Sequence, residues 1–90
     1  MFRIYKYDLP VGGDYRVVED YVVKWLEIKK QNSVLRVWAL VDDEKPKTKY
    51  RIISIGTGWP LKEEIRDMKY LGTGEDWLGY IWHYFVEDGE

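Results

Sequence analysis

Cysteine is absent from the 90 residues, which excludes disulfides, thiolate metal sites and a thiol nucleophile. A domain of this size without disulfides fits a reducing compartment. Histidine occurs once, at His83, and serine only at Ser33 and Ser54, neither in a recognisable nucleophile turn. A lone imidazole can act as a base only with a nucleophile and an orienting partner, and the sequence offers neither beside it. A basic surplus is lacking as well: 14 Lys and Arg face 16 Asp and Glu, for a net charge of −2. Nucleic-acid binding draws on neutralisation of phosphates, so this balance disfavours it. Long apolar runs are missing too. The most apolar stretch, residues 34–41, contains Arg36 and falls far short of a membrane span. The opening MFRIYKYDLP alternates charged and apolar residues and has no signal-peptide core. These absences predict a soluble cytoplasmic protein with no membrane partner, no bound metal and no cofactor.

Aromatic side chains are what the sequence has in quantity: five Trp, eight Tyr and two Phe. Each buries a large area, so a few suffice for a thin core. The surplus should lie exposed. Ninety residues make one domain, read as a β domain over residues 1–86 with a polar tail at 87–90.

Alternation of apolar and polar residues predicts strands at 2–8, 15–19, 21–30, 33–42, 48–57, 69–73 and 77–86. In the first, Phe2, Ile4 and Lys6 point one way and Arg3, Tyr5 and Tyr7 the other. Within 21–30, strict alternation puts Val22, Leu26 and Ile28 on one face and Val23 and Trp25 on the other. Gln31-Asn32 is a two-residue turn, since Asn tolerates the positive φ of tight hairpins. The run S-V-L-R-V-W-A-L-V-D at 33–42 is apolar on both faces, which predicts a central strand covered on both sides, with Trp38 in the core. Across the charged loop at 43–47, it is expected to form a hairpin with 48–57. The last strand sets Ile81 and Phe85 against Leu78, Trp82 and Val86. Trp59-Pro60-Leu61 opens one short helix near 60–68, with Leu61, Ile65 and Met68 on one side. The fold class is therefore mainly β: six or seven antiparallel strands in a small barrel or sandwich.

The run V-W-A-L-V-D at 37–42, then R-I-I-S-I-G-T-G-W-P at 51–60, Y-L-G-T at 70–73 and I-W-H-Y-F at 81–85 resembles a family of small phage and prophage proteins. That family has a K-Y-x-L-P-like start, matched here by Lys6-Tyr7-Asp8-Leu9-Pro10, a W-A-L-V-D strand, a G-T-G-H-P turn and a final W-H strand. This chain carries Trp59 where the family pattern has His, and a longer stretch at 61–68. The resemblance implies a phage origin, the cytoplasm of an infected bacterium and an antiparallel β fold. It implies no activity.

Candidate binding residues cluster at turns. Trp59 and Trp77 adjoin glycine-rich or acidic turns, and exposed Trp and Tyr are favoured interface anchors. Gly56 and Gly58 flank Thr57 before Trp59. Such a turn could cradle a phosphate, although no Lys-Ser/Thr follows and a turn role is the plainer reading. Tyr70 and His83 complete the candidates; a His bonded to neighbouring groups is the ordinary structural reading. The acidic loop 42–44 lacks the spacing of a Ca²⁺ loop. The expectation for function is a non-catalytic phage accessory protein that binds a host or phage protein through exposed aromatic turns. The alternatives are a minor virion or assembly component and a nucleotide-binding protein. A homodimer would cover the exposed sheet edges.

Overall fold

The computed structural model describes residues 1–88. Seven strands follow one another: β1 (Phe2–Asp8), β2 (Tyr15–Asp20), β3 (Val22–Gln31), β4 (Val34–Asp42), β5 (Thr48–Gly56), β6 (Lys69–Glu75) and β7 (Ile81–Asp88). Every pairing is antiparallel. The strands form two sheets, β1-β4-β3 and β2-β5-β7-β6. The mainly β class holds with seven strands, but no barrel closes.

The two sheets share one core. Tyr7, Leu35, Val37, Ala39 and Val41 of the first meet Val18, Tyr50, Ile52, Tyr84 and Val86 of the second. Aromatic rings stitch the layers together: Trp25 stands edge-on to Tyr50 at 5.5 Å. The Tyr7 hydroxyl donates to Asp20 at 2.8 Å and the Tyr50 hydroxyl to the Val22 carbonyl at 3.2 Å. The Cα envelope of 39 × 33 × 15 Å is thin in one direction, as two layers about 10 Å apart should be.

The β3–β4 hairpin forms, with its turn one residue later than the alternation suggested. Asn32 and Ser33 take φ of 51° and 67°, and Gln31 pairs with Val34. Two successive left-handed residues give the turn whose twist suits a hairpin. The expected hairpin between β4 and β5 does not form. Both edges of β4 are already taken, by β1 and β3, so the loop after Asp42 carries the chain to the other sheet.

Strict alternation fails within β3. Its register against β4 slips between Val22 and Lys24, and again between Trp25 and Ile28. Each slip is a bulge that resets which side of the strand faces in. Val22, Trp25 and Ile28 therefore share the core side, and Leu26 is exposed. A second expectation also changes: β4 is covered on one side only. Leu35, Val37, Ala39 and Val41 are buried, whereas Val34, Trp38 and Leu40 on the reverse are half-buried. Trp38 is not a core residue.

The helix near 60–68 contracts to one 3-10 turn, Glu63–Asp67, with no buried residue. A segment this short cannot repay the cost of nucleating an α-helix without an apolar face to dock, and Leu61 lies half exposed outside it. The final strand begins at Ile81 rather than 77, leaving Leu78 in a turn. It also runs past Val86: Glu87 and Asp88 pair with Arg51 and Tyr50. The remainder of the expected polar tail, residues 89–90, lies outside the described residues. Among the described residues, no helix is long and apolar enough to cross a membrane.

Candidate functional site

The outward face of the four-stranded sheet is set by register. Ile53, Ile55, Phe85, His83 and Tyr70 alternate with core residues along β5, β7 and β6. Beyond β5 the chain passes beside this face, where residues 60–68 border Ile53 and Ile55, while the Trp59 side chain turns to the core-side rim of the sheet. Its indole packs edge-on against Trp82, with centroids 5.5 Å apart. Gly56 makes room for it: a Cβ there would stand 2.5 Å from the Trp59 ring. The φ of +85° at Gly58 turns the chain back toward the sheet.

Gly56, Gly58, Trp59, Tyr70 and His83, five of the six residues selected from the sequence, line one recess beside this crossing, together with Thr57 and Phe85. His83 is half-buried. Its Nε2 lies 2.7 Å from the Thr57 hydroxyl, and its Nδ1 lies 3.2 Å from the Thr73 hydroxyl. Tyr70 continues the chain through its own hydroxyl to Thr73 and leans on Phe85 at 5.2 Å. The Thr57–His83 pair has the outline of a nucleophile and base, but the third group is a hydroxyl. A carboxylate in that place would stabilise the imidazolium formed on proton transfer; Thr73 cannot. The arrangement orders the ring and ties β5, β6 and β7 together.

The two Gly-Thr-Gly triplets do different work. The first is the turn under Trp59. The second lies within β6, where Gly72 sits at a register slip. A Cβ at Gly72 would meet Ile28 at 3.2 Å, and one at Gly74 would meet Leu35 at 2.8 Å. These glycines admit side chains of the three-stranded sheet into the core.

Trp77 lies elsewhere, in the turn from β6 to β7, and that turn has the most definite geometry on the surface. Asp76 is buried and organises it. One carboxylate oxygen accepts the amides of Leu78 and Tyr80 at 2.9 and 3.0 Å; the other accepts the indole N–H of Trp82 at 2.9 Å. The Asp76 amide donates to the Tyr80 carbonyl at 2.9 Å, and the Gly79 amide donates to the Asp76 carbonyl at 3.1 Å. Gly79 supplies the φ of +88° that closes the loop. The Trp82 indole, followed by the backbone amides, holds the Asp76 carboxyl below the ordinary value of 3.8, against the opposing effect of burial.

The clamp leaves the side chains around it in solvent. Trp77, Leu78 and Tyr80 are 60%, 64% and 62% exposed. A notch of about 430 Å³ separates Tyr80 and Ile81 from Trp59, with Trp82 among its lining residues. Trp59, Ile81, Tyr80 and the turn thus form one aromatic edge. The alternation places Leu78 within the last strand and Asp76 in an acidic turn, so neither stands out in the sequence as a site residue. The pattern that could have found them is Asp followed at the third position by Gly, an Asp accepting amides a few residues on.

The acidic residues 42–44 gather around the N-terminal amine, with Asp42, Asp43 and Glu44 at 3.4, 2.9 and 3.3 Å.

Over residues 1–90 the chain matches the sequence profile of the family described as Domain of unknown function (DUF7352), and it belongs to that family. Comparison with curated proteins and with solved structures gave no match.

Proposed function

We propose that this protein is a non-catalytic binding module that docks onto another protein through its aromatic edge, with residues 77–80 as the leading element. The observation that carries this reading is the Asp76 clamp, which fixes a turn whose bulky side chains point into water. A loop held in its bound shape has less entropy to lose on association. Trp and Tyr are the residues that most often dominate interface energetics, and they gain most in a pocket from which water is excluded. The notch beside Trp59 could in turn receive an apolar side chain from the partner. The phage setting comes from the motif resemblance, and with it the class of partner, a host or defence protein. A nucleotide-binding role gains no support from the glycines, since packing against Trp59, Ile28 and Leu35 accounts for Gly56, Gly72 and Gly74.

The test is affinity capture from a host lysate with the wild-type chain and with the W77A/L78A/Y80A variant. A protein retained near stoichiometrically by the first and lost by the second, at equal melting temperature, is the expected result. Equal retention by both would contradict the assignment of the edge, and capture of nothing would contradict the function. Recovery of the chain in purified virions would favour an assembly role.

A further inference from the structure

We propose that the outer face of the three-stranded sheet is a second docking surface, for a protein whose contact patch is apolar and bordered by carboxylates. This surface is independent of the aromatic edge. Antiparallel sheets that face water normally carry polar residues on the wet side; this one also sets exposed apolar side chains among its polar ones. In register across the face stand Ile4, Leu40 and Lys24, then Lys6, Trp38 and the bulged pair Leu26 and Glu27. Phe2 extends the apolar surface past Ile4. Phe2, Ile4 and Leu26 are 65%, 62% and 44% exposed. The two bulges in β3 create this surface, because they turn Leu26 outward while keeping Trp25 and Ile28 in the core.

Charge selects the occupant. At one end of the face Arg36 is satisfied, bonding Asp8 at 2.8 Å and Gln31 at 2.7 Å. The lysines are not. Lys6 reaches only the neutral Gln31 side chain at 2.9 Å, and among the described residues Lys24 and Lys29 form no ion pair. Lys6, Lys24 and Lys29 border the Leu26–Trp38 end of the patch, where Glu27 is the one carboxylate without an ion pair among the described residues; Asp42, Asp43 and Glu44 gather on the N-terminal amine at the opposite, Phe2 end. Acidic residues around a partner's apolar patch would complement the lysines and steer its approach. A second copy would offer this same lysine-bordered patch rather than the border of carboxylates that the ammonium groups match. Single-stranded nucleic acid needs a row of stacking rings; here only Phe2 and Trp38 are aromatic, Trp38 is half-buried, and aliphatic residues fill the rest.

The probe is a soluble peptide of alternating Leu and Glu at neutral pH, with a Leu–Lys peptide and an oligothymidylate for comparison. Binding is followed through amide chemical shifts of the isotope-labelled protein. The Leu–Glu peptide should move resonances of residues 2–6, 24–29 and 36–40 and weaken with added salt. K24E/K29E and, separately, I4S/L26S should each weaken it by roughly tenfold. Both should keep the wild-type melting temperature, because all four side chains are exposed. W77A/L78A/Y80A should leave this binding unchanged. Equal binding of the Leu–Lys peptide, tighter binding of the oligothymidylate, shifts confined to residues 57–81, or no shifts at millimolar peptide would each overturn the proposal.

Discussion

Two tryptophans, Trp59 and Trp77, stand beside glycine-containing turns on the same aromatic edge, and the chain holds them in opposite ways. Trp59 is anchored by its side chain: the indole packs on Trp82 over Gly56, while the backbone around it is sparsely bonded. Trp77 is anchored by its backbone, with a buried carboxylate and two main-chain bonds fixing the turn and leaving the indole free. In the first case the ring is spent on holding a crossing segment to the sheet. In the second, the ring is available to something else. Similar composition and comparable exposure thus conceal different roles, and hydrogen-bond geometry separates them.

The sharpest way to break this contrast is at Asp76. Asp76→Ala should remove the acceptor of two amides and leave the buried Trp82 indole N–H unpaired. We expect the melting temperature to fall by on the order of ten degrees, with a far larger loss than for Trp77→Ala. Gly56→Ala comes next. Its Cβ would enter the Trp59 ring position, displacing the indole at a cost of about 1–3 kcal/mol and changing the tryptophan fluorescence, while the Asp76 turn stays intact. Tyr84→Phe serves as a control in the core. It deletes the 2.8 Å bond to the Pro10 carbonyl and should cost about 1 kcal/mol, without altering either tryptophan. Trp77→Ala should change stability least, within about 0.5 kcal/mol, while abolishing partner capture.

Acid offers a graded version of the first experiment. The Asp76 carboxyl is held below its ordinary value of 3.8 in the folded protein. Its contribution is therefore complete above the unfolded-state value and is lost as pH falls through the lower folded-state value. Denaturant melts should show a stability loss below about pH 4 that is smaller in Asp76→Asn, the remainder coming from Asp8 and Asp43, whose carboxyls Arg36 and the N-terminal amine also hold low. A loss of equal size in that variant would show that other carboxylates carry the acid response.

Much of the scaffold was legible because a period of two is a strong signal. The β3–β4 hairpin, the seven strands and the alternating faces of β1 and β5 follow from it. What could not be read depended on pairing at a distance. The bulges of β3 are set by its register with β4, and they decide that Trp25 faces the core and Leu26 faces water. The failure of β4 to pair with β5 depends on both neighbours of β4 being taken. At the edge, Gly56, Gly58, Trp59, Tyr70 and His83 proved to line one recess because glycine, lone histidine and aromatic residues at turns stand out by type. Asp76 did not stand out, since an acid beside Glu75 looks like any solvated turn. Only the folded hairpin shows that its carboxylate points inward to Trp82.

Amide hydrogen exchange tests the central claim, that the backbone of the 77–80 turn is preorganised while residues 61–64 of the crossing lack such main-chain bonds. The amides of Leu78, Gly79 and Tyr80 all have acceptors, whereas those of residues 61–64 have none among the described residues. Exchange of the first set should be slowed well below the rate of an unprotected amide and should accelerate in Asp76→Ala; the second set should exchange near the unprotected rate in both proteins. Equal rates for the two segments in the wild-type chain would contradict the account.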